Sequence, residues 1–425
     1  MLPHDHVLSE LDALGLSRQG MRLRDALRRL SEWQAGSLDD AAPALAPPER
    51  DLREMHPGLQ IPLRALDRLL REPDPDDPTL EAVAFACLNV AIWAEERGAH
   101  RTALGFLQAA EDVYPDNPYY AYNIGRLARK MALYEEAEAW LKWAHFGAHG
   151  ERKWEVATLS LSGLGNLHRQ RGNLPRARRF HEVARRMARR HDLRTLEGDA
   201  LYDLAIMSFD FGDPALGLDY ARKALKAYGP GHGQIHHLAH DIAWIWMDSF
   251  GRFESAARVF LALLDHIWLP ATRLLVCANL ARASSGAGWR EAFEEMWIQT
   301  WTMIRSQVSC QGHAAALVQL ALGAGNLGDW ERAGKAASEA SSIASRRREE
   351  QVLAAAKSIL ESLHGGMIRD ETLMTVFKDR KYMSSQPGMT EEVEEFAVQL
   401  ACALRARWDG APESPTRAFV LNGRA

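Results

Sequence analysis

The chain has few of the features that mark secreted, membrane-spanning or disulfide-bonded proteins. It holds only four cysteines in 425 residues, far apart and each within an apolar helical pattern, so a disulfide framework is not expected. No apolar run approaches the roughly 20 residues that cross a bilayer. The opening stretch, MLPHDHVLSELDALG, has acids and histidines where a signal peptide has a basic start and an apolar run. These absences favour a cytoplasmic protein without membrane association.

The sequence also lacks the common catalytic motifs. It has no G-x-S-x-G serine, no phosphate-binding loop and no H-E-x-x-H pair, and no carboxylate pair stands out from the helical charge pattern. The segment GAGNLG matches G-x-G-x-x-G, but a helical pattern precedes it where a dinucleotide site needs a strand. A net charge of −5 excludes a chain whose bulk charge attracts nucleic acid. We therefore expect neither an enzyme nor a bound cofactor.

What the sequence has instead is a repeated helical spacing. In each repeat a glycine or alanine ends one helix, and a small residue follows within the next helix. These small residues are Ala103, Ala137, Ala177, Gly217, Ala256, Ala292 and Ala333, at spacings of 34, 40, 40, 39, 36 and 41. A turn glycine adopts the left-handed conformation cheaply, and a small residue lets two helices approach closely. The pattern predicts antiparallel helix pairs that stack on one another.

This pattern resembles the tetratricopeptide repeat family. The best-matched unit has small, bulky or aromatic residues at the family's positions: Gly125, Tyr134, Ala137, Leu141 and Ala144. The resemblance implies an all-α fold, a right-handed superhelical solenoid of about seven antiparallel helix pairs. Most spacings exceed the roughly 34 residues usual in the family. Trp244 and Gln299 occupy positions that are normally small, so we expect irregular stacking around them.

The repeats and their flanks divide the chain into five regions. They are an N-terminal helical hairpin (1–36), a proline-rich linker with a short helix at 62–72 (37–78), the repeat array (79–344), a capping helix (345–366), and a C-terminal helical segment with a frayed tail (367–425). The hairpin could be a DNA-binding helix-turn-helix, but no third helix follows to complete its core, so a degenerate repeat or a packing hairpin is favoured. In the C-terminal segment, an amphipathic helix is predicted with Val393, Phe396, Ala397, Leu400 and Leu404 on one side.

The resemblance also implies a ligand groove, built from the first helix of each unit. Carried over position by position, the candidate peptide-binding residues are Tyr119, Tyr122, Asn123, Arg126, Arg129, Lys130, Asn166, Arg169, Tyr202, Asp203 and Asp241. Amides would bind a peptide backbone, arginines its acids, and aromatic rings its side chains. The lysines and asparagines with which some members clamp chaperone tails are not found. The alternative is that these polar residues only solvate an unused groove.

Two clusters of basic residues stand outside this assignment. Arginines recur on one helix as two rows, which form a basic stripe: Arg178, Arg185 and Arg189, and Arg179, Arg186 and Arg190. A solvated outer face is the simpler interpretation, and an acidic peptide or a nucleic acid is the alternative partner. His232, His236 and His240 follow a helical spacing that can hold zinc, but no cysteine lies nearby and Asp241 is the only adjacent acid, so ordinary helix polarity is favoured.

Three functional hypotheses follow. The first is a non-enzymatic scaffold or adaptor that binds another protein or an extended peptide through the groove. The second is a sensor or regulatory protein that controls a transcription or signalling partner in trans, because similar arrays occur in bacterial transcription activators and peptide receptors. The third is a nucleic-acid binder that uses the basic stripe between Arg169 and Arg194. The sequence does not indicate an oligomeric state.

Overall fold

The chain folds into consecutive packed helices that form two compact units. The computed structural model describes residues 5–37, 45, 56–71, 76–267, 270–306, 312–347, 349–364 and 389–405. In this part of the chain all regular secondary structure is helical, which confirms the predicted all-α fold of successive helix pairs. The division between the units follows Ala200, so we describe unit 1 up to that residue and unit 2 from Leu201.

Unit 1 contains nine helices and the start of a tenth among its described residues. They are α1 (Asp5–Ala13), α2 (Ser17–Gln34), α3 (Pro57–Leu69), α4 (Asp77–Glu96), α5 (His100–Val113), α6 (Pro118–Lys130), α7 (Tyr134–Gly150), α8 (Trp154–Gln170), α9 (Leu174–Arg190) and the beginning of α10 (Arg194–Asp210). The pairs α4–α5, α6–α7 and α8–α9 pack tightly within themselves. We call α4, α6 and α8 the first layer of unit 1, and α5, α7 and α9 its second layer.

Unit 2 continues from α10 with nine further helices in the described ranges. They are α11 (Pro214–Tyr228), α12 (Gln234–Phe250), α13 (Phe253–Leu264), α14 (Pro270–Gly286), α15 (Arg290–Ser306), α16 (His313–Asn326), α17 (Trp330–Arg347), α18 (Glu350–His364) and α19 (Met389–Arg405). Its first layer comprises α10, α12, α14 and α16, and its second layer comprises α11, α13, α15 and α17. The predicted capping helix is α18, which packs on α16 and α17.

Small residues bring the paired helices of unit 1 together as the spacing predicted. A Cβ on Gly125 would lie 2.8 Å from Leu141 Cγ, and a Cβ on Gly165 would lie 2.5 Å from His181 Nε2. Ala137 and Ala177 are fully buried on the opposing helices. Close backbone contact therefore depends on the absence of side-chain atoms at these positions.

The turn between α6 and α7 uses alanine where most sister turns use glycine. Ala132 has φ 60°, in the left-handed region, and the corresponding Gly98 and Gly172 have φ 78° and 74°. An L-residue pays a conformational penalty there that glycine does not. The fold therefore imposes the same turn geometry whether or not the residue favours it.

The N-terminal hairpin belongs to the core of unit 1. Val7 and Leu11 of α1 and Leu23 of α2 are fully buried in one cluster with α3, α4 and α5. The Glu10 carboxylate accepts hydrogen bonds from the backbone N–H of Arg101 (2.9 Å) and Thr102 (2.7 Å) at the start of α5. A side chain from α1 thus satisfies donors of another helix, and the hairpin is a packing element.

The short helix α3 lies earlier in the chain than the sequence predicted. It spans Pro57–Leu69 instead of 62–72. The His56 side chain accepts a hydrogen bond from Gly58 N–H at 3.1 Å, and Pro57 follows in the first turn, where proline is tolerated. This combination starts the helix upstream of Pro62.

In unit 2 the expected irregularity at Trp244 is a shift of one residue. The sequence pattern locates the small position of a first helix by counting back from the turn glycine, which gives Trp244. However, α12 extends directly to Gly251, and Arg252 N–H bonds to Trp246 O. The buried small residue is therefore Ala243, and Trp244 is 37% exposed.

The same correction applies to α15. The preceding turn glycine is Gly288, so the core positions are Phe293 and Thr300, both buried, instead of Ala292 and Gln299. Phe293 is large, and it fits because the facing Gly323 has no Cβ; one would lie 3.1 Å from the Phe293 ring. Packing is kept by exchanging a small–large pair across the interface.

The predicted C-terminal amphipathic helix is α19, and it folds back onto α11, α12 and α13. The five apolar residues expected on one side are all buried. Phe396 packs edge-on against Trp246, with ring centroids 6.1 Å apart. The tail from residue 406 onward lies outside the described residues. None of the described helices has the length and apolar character that a bilayer crossing requires.

Candidate functional site: the first-layer faces of the two units

The tyrosines at the start of α6 form an aromatic cluster that is mostly buried. The rings of Tyr119 and Tyr122 lie 6.3 Å apart, and burial raises the pKa of Tyr119 to about 12. Asn123 is buried and its side-chain amide donates to the backbone oxygen of Tyr119 at 2.8 Å. Asn123 is therefore already engaged within its own helix. Tyr122 and Asn123 contribute more to the wall of the first layer than to its exposed surface.

Arg126 forms a two-point ion pair with Glu95 of α4. Its two terminal nitrogens donate to the carboxylate oxygens at 2.8 and 2.6 Å, and Lys130 Nζ approaches the same carboxylate at 3.7 Å. Burial alone would raise the pKa of Glu95, but hydrogen bonds and charge from Arg126 and Lys130 hold it below its ordinary value. The charge of Arg126 is thus matched inside unit 1, and this residue fastens α6 to α4.

The remaining candidates of unit 1 are more accessible. Arg129 and Asn166 are half-buried, whereas Lys130 and Arg169 are exposed. The last turns of α6 and α8 therefore carry the accessible positive charge of this first layer. The sequence favoured Arg126 as a partner-binding residue, whereas the structure exposes Lys130 and Arg169 more than Arg126.

In unit 2 the first layer carries a continuous chain of hydrogen bonds. The Tyr202 hydroxyl of α10 donates to the Asp241 carboxylate of α12, and His240 Nδ1 lies 2.9 Å from the other oxygen of Asp241. His240 Nε2 lies 3.1 Å from the amide nitrogen of Asn279 on α14. The amide can only donate, so Nε2 accepts and Nδ1 carries the proton given to Asp241. Four side chains thereby connect three first-layer helices.

The Asp241 carboxylate stays ionised within this chain of hydrogen bonds. Burial would raise its pKa, but the hydrogen bonds from His240 and Tyr202 lower it below the ordinary value. Asp203, the other acidic candidate, is half-buried one residue beyond Tyr202.

A second link, missed by the sequence reasoning, runs from Asp248 to Arg282 at 2.9 Å and from Arg282 to Gln319 at 2.8 Å. In the sequence, the signal for this link is Arg282, an arginine that follows Asp248 by about one repeat.

Trp244 is the exposed aromatic residue of this face. It follows Asp241 by three positions and precedes Asp248 by four, so the three side chains share one side of α12. The sequence had assigned Trp244 to packing because of the shifted turn. In the structure Trp244 is partly exposed, about one helical turn from Asp241 and from Asp248.

The three histidines considered for zinc have separate partners. The His232 ring stacks on Tyr228 at 5.2 Å, His236 Nδ1 lies 3.1 Å from Gly233 O, and His240 belongs to the chain described above. Across the described ranges, no three histidine, cysteine or acidic side chains form a group that could hold a metal ion.

The basic stripe lies on α9, in the second layer of unit 1. Arg178 pairs with Glu182 at 3.1 Å, whereas Arg179, Arg186, Arg189 and Arg190 are exposed and Arg185 is half-buried. Arg171 and Arg176, which precede the stripe, pair with Glu138 of α7 at 3.3 and 3.8 Å. The stripe is therefore separate from the first-layer face.

Comparison with known proteins gives structural likeness without a family assignment. No protein-family model matches the chain, and no curated protein matches it. Similar solved structures include BtubC (BKLC) from P. vanneervenii, with a TM-score of 0.39 and 16% identity over 53% of this chain and 91% of that chain. A Rap protein complexed with competence and sporulation factor has a TM-score of 0.39 and 12% identity over 94% and 100%.

The P58(IPK) TPR domain has a TM-score of 0.23 and 13% identity over 77% of this chain and 99% of that chain. Likeness at this level identifies no ligand for the present chain. The repeated helix pairs are a property of this molecule itself.

Proposed function

We propose that the chain is a non-enzymatic, tetratricopeptide-like scaffold that binds a protein or an extended peptide through its first-layer faces. The observation that supports this proposal most is the α12 face of unit 2. There an exposed indole, Trp244, lies beside an ionised carboxylate, Asp241, that the surrounding hydrogen bonds hold in place. A rigid aromatic ring flanked by a fixed charge is the type of group that anchors a partner side chain.

The chemistry of this face favours a basic peptide side chain. A lysine or arginine could pair with Asp241 while its alkyl or guanidinium portion lies on the Trp244 ring. In unit 1, Lys130 and Arg169 would instead meet acidic groups of a partner. The proposed partner therefore carries both acidic and basic segments. We propose that the protein acts in the cytoplasm.

The arrangement of the reactive groups supports a binding role over catalysis. The ring nitrogens of His240 are both engaged, one by Asp241 and one by Asn279, so neither faces a substrate as a general base would. Burial raises the pKa of Cys277 to about 11 and raises that of Cys87 further, which keeps both thiols protonated. These groups stabilise the layers instead of offering a nucleophile.

The test is selection of peptides from a random display library on the full-length protein, followed by affinity measurement with labelled peptides. Asp241→Asn and Trp244→Ala should each weaken the selected peptides about tenfold or more, since anchor residues of this kind carry most of the binding energy. Ile298→Ala, at an exposed apolar residue of α15, is the matched control and should leave affinity unchanged. Equal binding by all the variants would contradict the assignment of this face.

A further inference from the structure

The second layer of unit 1 contains two parallel neighbouring helices whose ends are tied together. Glu138 near the start of α7 pairs with Arg176 in the first turn of α9 at 3.8 Å. At the other end, His149 of α7 contacts the Trp154 ring, and that ring stacks on His191, just after α9, with centroids 4.2 Å apart. Start lies beside start and end beside end, so α7 and α9 run side by side in the same direction.

The two helices also share one register. Their fully buried positions are Ala137, Leu141, Ala144 and Ala148 in α7, and Ala177, His181, Ala184 and Ala188 in α9, each 40 residues further on. The sides opposite these buried stripes therefore project the same way. On α7 that side presents Trp143 and Phe146, and on α9 it presents Arg179, Arg186 and Arg190.

The exposed groups of this face are unusual for a solvated surface. Trp143 is 63% exposed and Phe146 is 71% exposed, one helical turn apart. In the described part of the chain, no carboxylate lies within ion-pair distance of Arg179, Arg186 or Arg190. Two exposed aromatic rings of α7 thus share the outer side of this layer with a row of uncompensated positive charge on α9 that is about 16 Å long.

Unit 2 shows what covers a comparable surface in the same molecule. Two helices of its second layer, α11 and α13, are contacted by α19, an amphipathic helix whose first half carries acids. Phe396 of α19 packs on Trp246 of the first-layer helix α12, and Arg222 of the second-layer helix α11 approaches the carboxylates of Glu392 and Glu395 at 3.5 and 3.9 Å. An aromatic ring and an arginine of unit 2 therefore receive an apolar side chain and carboxylates from one helix.

We propose that the α7–α9 face of unit 1 binds an acidic amphipathic helix of a partner protein. The apolar side of that helix would lie on Trp143 and Phe146, and its carboxylates would pair with Arg179, Arg186 and Arg190. The aromatic rings and the arginines occupy separate helices instead of alternating along one strand path, which suits a two-sided helix better than stacked bases. This surface is distinct from the first-layer face and does not depend on its assignment.

The probe is a labelled synthetic peptide with the sequence of α19, titrated against the full-length protein and followed by fluorescence anisotropy. We expect Trp143→Ala combined with Phe146→Ala to weaken binding at least tenfold, because the apolar anchors are lost. Arg179→Glu combined with Arg186→Glu should weaken it at least as much, because attraction becomes repulsion. A peptide of the same composition, permuted so that acids and apolar residues are mixed, should not bind.

The matched control is Arg178→Glu combined with Arg189→Glu, which makes the same charge change on the side of α9 turned away from α7 and should cost less than threefold. Equal loss in this control, or binding that is insensitive to the aromatic variants, would overturn the proposal. So would tighter binding of a single-stranded oligonucleotide than of the peptide. Self-association of the chain that is abolished by the aromatic variants would instead make the occupant a second copy and also overturn it.

Discussion

The second layers of the two units differ in whether a further helix packs against their outer side. In unit 2 the apolar side of α19 packs against α11 and α13 of the second layer, and Phe396 contacts Trp246 of the first-layer helix α12. In unit 1 Trp143 and Phe146 of α7 are open to solvent, and no described helix lies over them. Both layers are built from the same helix pairs, so pairing alone leaves an outer face that a further helix can cover.

Removing the central contact of α19 should expose a covered surface of unit 2, as the α7–α9 face of unit 1 is exposed. Phe396→Ala deletes a fully buried ring and should lower the free energy of unfolding by about 3–5 kcal/mol, measured by urea denaturation. Trp246 should become more accessible to a quencher of indole fluorescence. Val398→Ala, on the exposed side of the same helix, is the control. A loss below 1 kcal/mol for Phe396→Ala would show that α19 contributes little to the stability of unit 2.

The ion pairs of unit 1 allow a second comparison, between its two layers. Glu95→Gln leaves Arg126 without its largely buried partner and should cost about 3 kcal/mol. Glu182→Gln breaks the exposed pair with Arg178 and should cost no more than about 0.5 kcal/mol. Both are measured as the change in free energy of unfolding. Similar losses in the two variants would contradict the distinction between an internal fastening and a solvated stripe.

Acidification should destabilise unit 1 more than unit 2. Burial is the main cause that lowers the pKa of six histidines: His56, His100, His145 and His168 in unit 1, and His236 and His313 in unit 2. The folded chain therefore protonates these groups less readily than the unfolded chain, whose histidines take up protons below pH of about 6.5, so stability falls as the pH drops through that value. Hydrogen exchange compared at pH 7.5 and 5.5, corrected for intrinsic rates, should show the greater loss of protection in unit 1. Uniform loss would contradict this prediction.

The turn at Ala132 gives the smallest expected effect. Replacing Ala132 by glycine relieves the left-handed conformation and should stabilise the protein by about 1 kcal/mol. Gly172→Ala, in the equivalent turn between α8 and α9, should destabilise it by a similar amount. Thermal unfolding of the pair of variants provides the measurement. Changes of the same sign in both would show that the two turns are not equivalent.

Much of the fold could be predicted from sequence because small residues and turn glycines recur with helical spacing. The apolar side of α19 was also predictable, since all five of its residues follow one helical stripe. The shift at Trp244 could not be predicted, because spacing from Gly251 does not reveal that α12 runs directly to that glycine. Helix length before a turn is decided by packing and backbone hydrogen bonds together.

The candidate sites were harder to predict because burial and pairing are tertiary properties. The sequence placed Arg126 on a surface, but its partner Glu95 lies one repeat earlier and converts it into an internal contact. Conversely, Trp143 and Phe146 sit among alanines in a well-matched unit and were not recognised as surface residues. Only their exposure in the folded chain, on the same outer side as the arginines of the parallel helix, distinguishes them from core aromatics.

Hydroxyl-radical footprinting of the full-length protein with and without the α19-sequence peptide tests the central comparison most directly. We predict that oxidation of Trp143 and Phe146 falls several-fold when the peptide is added. Ile298, which is 64% exposed, should react equally in both samples, and the buried Trp246 should remain unreactive. Unchanged oxidation of Trp143, or new oxidation of Trp246 as the peptide displaces α19, would contradict the account of an open second layer in unit 1 and a covered one in unit 2.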